Sequence, residues 1–288
     1  MMSLAFLATV ALAAAPVHNF PLAAAFVVDG RVVLVDVPTR TATPLDLDGL
    51  LPEEADLSPD KRWVAFDAKR SPTEHLRLFL YDTKEKFLRE VTTSEHGEHR
   101  FPRFAEMGAW LYFSAAGRDE VGGPANPLRL MRMRMKDGRV EKIPSSDGTC
   151  EFSPVGLSKD RVAHISTHCY IGYELALTHV AKHETSVIGS VGGPRSELAA
   201  PFDGERLLFT SETPGGLGFF IWTKGSPAKL LTTVAASALR LQPRFVCPKD
   251  VVFYNSRQFW VLDSKSGQIQ PLFAFPEPPN TVPFDGGR

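Results

Sequence analysis

The last six residues, Pro283-Phe284-Asp285-Gly286-Gly287-Arg288, nearly repeat an interior string, Pro201-Phe202-Asp203-Gly204-Glu205-Arg206. In the interior this string runs into an apolar segment, Leu207-Leu208-Phe209-Thr210, whereas at the end the chain stops. A chain built of copies is confined to repeat architectures, because a single unit cannot bury its own apolar face and must stack on its neighbours.

Aligned on that anchor, five copies follow one order, a turn-forming string and then three short apolar segments. They are 57–61 into 63–66, 76–82 and 87–91; 101–104 into 110–113, 128–135 and 139–143; and 151–154 into 161–165, 173–180 and 185–188. Two more run 201–206 into 207–210, 218–222 and 228–231, and 243–247 into 251–254, 258–263 and 268–272. The second segments start at Trp63, Trp110, Val162, Leu207 and Val251, spaced 47, 52, 45 and 44 residues apart, which suits propeller repeats of about 40 to 50 residues. A front unit, 23–28, 31–37 and 41–47, supplies three segments with no first one before them. Polar and apolar residues alternate through much of 76–80 and 128–135, the period of a strand. The 22 glycines and 23 prolines punctuate the chain between strands, as short-strand architectures require.

The sequence therefore reads as all-β: a six-bladed β-propeller of four-stranded antiparallel blades, one domain over 16–288. An open array would leave two end blades with bare apolar faces. The C-terminal segment 281–284 is accordingly expected to pair into the N-terminal blade as its missing first strand and close the ring.

The copy Leu57-Ser58-Pro59-Asp60-Lys61-Arg62-Trp63-Val64-Ala65-Phe66, followed by Leu78-Phe79-Leu80-Tyr81-Asp82 and Val91-Thr92, resembles the repeat of TolB-like propellers, a WD-repeat-like family. That pattern is SPDG, an apolar strand, a Y-x-D strand and an LT ending. Echoes are Phe152-Ser153-Pro154, Phe202-Asp203-Gly204, Trp260-Val261-Leu262-Asp263 and Leu231-Thr232. The resemblance runs from about residue 20 to the end; it implies the fold and leaves the activity open, since such repeats serve many roles. TolB itself carries an α/β domain ahead of its propeller, and this chain is expected to be without one.

Residues 4–15 are almost wholly apolar, and Ala11-Leu12-Ala13 places small residues where signal peptidase reads. A signal segment over 1–15, cut after Ala13, is expected; the stretch falls short of the roughly 20 residues of a membrane span. The competing reading is an apolar strand of the first blade, because no Lys or Arg precedes Arg31. Export would place the protein in the periplasm or outside the cell. Cys150, Cys169 and Cys247 suit that setting, with Cys150 and Cys169 flanking two strands of one blade as the candidate disulfide and three buried thiols as the alternative. A formal net charge of -1 supplies no global field to draw nucleic acid or a membrane surface. The stripe Arg129, Arg132, Arg134, Lys136 and Arg139 reads as the solvated face of a strand.

Signatures of hydrolases, zinc proteases, phosphate-binding loops and paired-cysteine sites (GxSxG, HExxH, GxxxxGK[ST], CxxC) are absent from the sequence. Two constellations remain. His164, His168 and His179 fall on two strands of one blade and form the candidate metal set, with interior and rim histidines as the alternative. His96, Glu98, His99 and Arg100 lead into an innermost strand, where the connection opens on one end of the central channel; they form the candidate ligand-binding set, with a solvated loop as the alternative. The function expected is that of an exported, non-enzymatic binding module for a protein, peptide or envelope ligand, monomeric and without a cofactor. The alternative is a propeller hydrolase or lyase with a polar or metal site at the channel mouth.

Overall fold

The structure, a computed structural model, describes residues 22–275 apart from 48, 92–95, 118–126, 145–148, 169–170, 194–195, 202, 236–240 and 256. The first sheet holds β1 (Ala23–Val28), β2 (Arg31–Asp36) and β3 (Thr41–Pro44). The second holds β4 (Leu51–Leu57), β5 (Trp63–Lys69), β6 (Arg77–Asp82) and β7 (Phe87–Glu90). The third holds β8 (His96–Ala105), β9 (Trp110–Gly117), β10 (Arg129–Arg134) and β11 (Val140–Lys142). The fourth comprises β12 (Thr149–Ser158), β13 (Arg161–His168), β14 (Ile171–His179) and β15 (Glu184–Val191). In the fifth are β16 (Leu198–Ala199), β17 (Arg206–Thr213), β18 (Gly216–Thr223) and β19 (Lys229–Val234). The sixth has β20 (Arg244–Phe245), β21 (Asp250–Asn255), β22 (Gln258–Asp263) and β23 (Ile269–Ala274). Every pairing within these sheets is antiparallel and sequential, so each sheet is a meander and the six form the blades of a propeller. No helix among the described residues is long and apolar enough to cross a membrane.

The ring is held by apolar packing between blades. Phe66 and Val64 of the second blade meet Ala25 and Val32 of the first. Leu78 and Leu80 meet Phe104 and Phe113; Tyr112 and Leu130 meet Val162; Ile165 and Leu175 meet Leu207 and Phe209; Phe219 meets Phe253. The last interface returns to the start, where Val252 and Phe259 pack on Ala24, Phe26 and Val33. There Gln242 also clamps Val27 of β1, its Oε1 accepting the Val27 amide at 3.0 Å and its Nε2 donating to the Val27 carbonyl at 2.9 Å. The described residues thus bring the sixth blade back against the first.

The front unit differs from the sequence reading in its register of roles. Its three strands were expected to follow a missing innermost one, yet Ala23 and Ala24 of β1 face the axial cavity together with β4, β8, β16 and β20. β1 is itself the innermost strand, because six strands converge at the axis and its small Ala23 and Ala24 fit there. The position without a strand among the described residues is the outer edge beside β3, and the expected closing segment 281–284 lies outside the described residues.

Innermost strands share a device. Leu22, Phe101, Ser153 and Gln242, each at or just before the axial stretch, adopt φ of 49, 60, 48 and 47°. At Arg100/Arg103 and Phe152/Val155 the ladder to the next strand skips. These are bulges, and a bulge re-aims the side chains that follow it.

The turn strings act as the sequence suggested. Ser58 Oγ donates to Asp60 Oδ1 at 2.5 Å and accepts the Trp63 amide at 2.8 Å, while Asp60 also accepts the Arg62 amide. Asp203 accepts the amides of Glu205 and Arg206. The aspartates at the ends of third strands, Asp82 and Asp263, do the same for the amides two and three residues on, inside each turn. These are Asx turns.

Candidate functional site

The polar groups of the structure concentrate on the propeller axis. Arg103 and Arg244 come from the same tripeptide, Pro-Arg-Phe, on the innermost strands of the third and sixth blades. Three blades apart in a ring of six, they enter the axis from opposite sides. Each folds back on its own strand, donating Nη1 to the preceding proline carbonyl at 2.7 and 2.9 Å. Arg103 Nη2 then reaches Glu54 Oε2 at 2.6 Å, and Arg244 Nε reaches Asp56 Oδ1 at 3.3 Å. Arg244 Nη2 crosses to the Ala55 carbonyl at 2.7 Å, tying the sixth blade to the second past the first. Asp56 Oδ2 accepts the Phe104 amide at 2.8 Å. Glu197 of the fifth blade, also buried, acts electrostatically on both arginines.

Burial sets the protonation energetics of this cluster. It raises the Asp56 carboxyl above its ordinary value, though Arg244, Arg103 and the Phe104 amide oppose it. It also holds Arg244 below its ordinary value, an effect to which the neighbouring Arg103 adds. Arg103 is held above its ordinary value because Glu54, Asp56 and Glu197 outweigh the cost of its burial. Three carboxylates stand about two guanidiniums, an excess of one carboxylate. The space left beside them is a cavity of about 40 Å³ lined by all six blades, enough for roughly three waters and too small for a sugar ring.

At one end of β4 and β8 the same elements build a charged rim. Arg100 Nη2 lies 2.8 Å from Glu53 Oε2, Lys69 Nζ lies 3.2 Å from Glu53 Oε1, and Arg100 Nε lies 3.4 Å from Glu98 Oε1. The Arg100 guanidinium sits 5.4 Å from the Phe101 ring centroid. Burial raises the Glu53 carboxyl, but Arg100 and Lys69 outweigh it and hold it below the usual range. All four charged side chains are about a quarter to a third exposed. They can exchange these partners for those of a ligand.

Of the residues singled out from sequence, Glu98 and Arg100 stand together in this rim. His99 is buried beside it, its ring 5.7 Å from that of Phe113. His96 pairs its backbone with Gly117, and its side chain lies outside the described residues. The histidines separate along their hairpin: His164 pairs with Ala176, His179 with Arg161 and His168 with Ile171. His164 is fully buried, with Nε2 3.0 Å from Thr178 Oγ1, and burial pushes its pKa down to about 4. His168 is exposed. Among the described residues no group of three or more His, Cys, Asp or Glu is placed to hold a metal. Cys150 is buried and pairs with Thr167, and Cys169 lies outside the described residues.

Sequence reasoning passed over Glu53, Glu54, Asp56, Asp67, Arg103 and Arg244. Their signal was present: Pro-Arg-Phe occurs at both 102–104 and 243–245, and charges crowd the innermost string Leu51-Pro52-Glu53-Glu54-Ala55-Asp56-Leu57. Charge inside an innermost strand has to be paired.

Comparison of the sequence with known protein families and with curated proteins gives no match. Among solved structures the chain is similar to a putative TolB from Agrobacterium tumefaciens, at 14% identity and TM-score 0.63, covering 87% of this chain and 88% of that one. It is similar to TolB from Acinetobacter baumannii at 16% identity and TM-score 0.53, covering 67% of this chain and 46% of that one. The chain therefore spans under half the length of that TolB. It is also similar to an oligogalacturonate lyase in complex with manganese, at 15% identity and TM-score 0.58, covering 89% of this chain and 77% of that one. At these identities the likeness defines the fold, a TolB-like β-propeller.

Proposed function

We propose that this chain is an exported, non-enzymatic propeller that binds a protein, peptide or envelope polymer at the rim formed by Glu53, Lys69, Glu98 and Arg100. One observation carries the reading: the axial carboxylates Glu54 and Asp56 are already engaged by Arg103 and Arg244, with a cavity of only about 40 Å³ beside them. The reactive-looking groups at the centre support the ring, and the exchangeable charges stand at its mouth. The apolar segment over 1–15, with its expected cleavage after Ala13, supports the export part of this reading.

The test is affinity capture from an envelope extract with the wild type and Arg100→Glu side by side. A partner held by the wild type and lost from a folded Arg100→Glu supports the reading; a partner retained equally by both overturns it. A second reading, lyase or hydrolase, is favoured by the likeness to an oligogalacturonate lyase. Incubation of the purified protein, with and without added manganese, with an oligogalacturonate separates the two, since release of unsaturated uronate would replace binding by catalysis.

A further inference from the structure

Behind the rim lies one buried carboxylate to which the proposed function gives no part. Asp67, on β5 and 1% exposed, points its two oxygens at two different blades. Oδ1 accepts the amide of Glu54 in its own blade at 2.7 Å, and Oδ2 accepts the amide of Phe101 in the next blade at 2.8 Å. Those two amides belong to the residues directly after Glu53 and Arg100, the pair that meets at 2.8 Å in the rim. Phe101 is also the bulge residue, with φ 60°, whose conformation turns Arg100 toward the rim and Arg103 toward the axis. One side chain thus holds both backbone anchors of the rim and the bulge between them.

We propose that Asp67 is the positioning residue of the rim: its carboxylate, by accepting both amides, sets Glu53 and Arg100 across from one another, and uptake of a proton releases one anchor and loosens the pair. The chemistry is a donor count. An ionised carboxylate offers an acceptor to each N–H, whereas a protonated one turns one oxygen into a donor that faces another donor. The proton arrives from solvent and no other group changes charge.

The surroundings keep Asp67 near the point of change. Burial raises its carboxyl, the charge of Glu54 adds to that, and the Phe101 amide, Arg100 and the Glu54 amide pull it back, leaving it at about 7. The charged and titratable groups around it are Glu53, Glu54 and Asp56 on β4, Lys69 on its own strand and Arg77 on β6. On β8 they are Glu98, His99, Arg100 and Arg103. Among the described side chains, His99 is the one other group there of a type that ordinarily titrates close to neutrality.

The inference rests on the rim being the binding surface only for its consequence, pH-dependent binding; the positioning is measured without a partner. Amide hydrogen exchange on the full chain, expressed as protection factors between about pH 6 and about pH 8 to bracket the Asp67 midpoint, reads both anchors. Protection of the Phe101 or Glu54 amide should rise roughly tenfold as Asp67 ionises, the worth of a hydrogen bond to a charged acceptor. In Asp67→Asn it should be low and independent of pH. His99→Gln should leave the midpoint in place. Should Asp67→Asn not fold, the carboxyl carbon shift of Asp67 in the wild type must titrate with the same midpoint as the exchange. Equal protection of both amides across that range, or a midpoint that disappears with His99→Gln, overturns the proposal. Amides that respond while partner capture stays constant with pH keep Asp67 in its role and remove the rim as the binding surface.

Discussion

Arg244 illustrates how much one side chain carries in this ring. It donates across the axis to the Ala55 carbonyl and pairs with Asp56, so its removal leaves a buried carboxylate without its cation. Arg244→Met should cost about 3 to 5 kcal/mol, the range for breaking a buried pair from one side. Urea unfolding is the measurement, and a loss below about 1 kcal/mol would place Asp56 in water instead. Lys61 shows the opposite case. It occupies the glycine position of the SPDG-like turn with φ 61°, a left-handed conformation in which a Cβ is strained. Lys61→Gly relieves that strain and gives up some chain entropy, for a net gain of up to about 1 kcal/mol. A thermal midpoint a few degrees higher would bear this out, and its exposed contact with Asp36, at 3.7 Å, is too weak to reverse the sign.

Among elements, the innermost strands are the most constrained, because they pair along one edge and pack on two neighbouring blades. Gly156 in β12 shows the limit: a Cβ there would overlap the Cβ of Ala105 in β8 and crowd the Tyr112 ring. Gly156→Val should force the third and fourth blades apart and cost about 1 to 3 kcal/mol. The same substitution at Gly189, where a Cβ meets nothing within 4 Å, should cost far less, and a comparison of the two unfolding curves tests the argument. Strand membership was legible because alternation and turn strings are local. The role of β1 was not, since three alanines followed by Phe26 read equally well as a first or a second strand. What distinguishes them is distance from the axis, which no local pattern encodes.

Two buried groups of opposite sign, Asp67 and His164, couple stability to pH, beside Asp56, whose carboxyl burial also raises and whose contribution likewise falls as pH rises. Folded, Asp67 keeps its proton to about 7 against an ordinary 3.8; between those values the folded state holds the extra proton, so this contribution falls as pH rises and is flat above neutrality. Folded, His164 stays neutral down to about 4 against an ordinary 6.5; between those values the unfolded state holds the extra proton, so this contribution rises with pH. The two limbs largely cancel in the wild type. Asp67→Asn should therefore expose a stability that climbs from about pH 4 to about pH 6.5, and His164→Gln one that declines from about pH 4 to about pH 7. Denaturant midpoints measured across that range decide it, and parallel profiles for all three proteins would contradict the burial of both groups. Asp36, Asp82 and Asp263 add a separate acid limb. Amides of their own turns, acting on Asp82 together with Arg62 against the effect of burial, hold them below the usual carboxylate range. Their support is intact above about pH 4 and lost as pH falls further.

The repeat period, the alternation and the turn residues determined, without any coordinates, that the chain makes six meanders arranged as a propeller, since each signal is a property of adjacent residues. Glu98 and Arg100 were expected at the channel mouth because the connection into an innermost strand opens there, and they pair with one another and with Glu53 at one end of β4 and β8. Only the tertiary structure decided that Arg103 and Arg244 meet Glu54 and Asp56 on the axis, that Asp67 joins two blades behind the rim, and that β1 is innermost. Those facts depend on how blades far apart in sequence converge on one line, and convergence is set by packing around the whole ring.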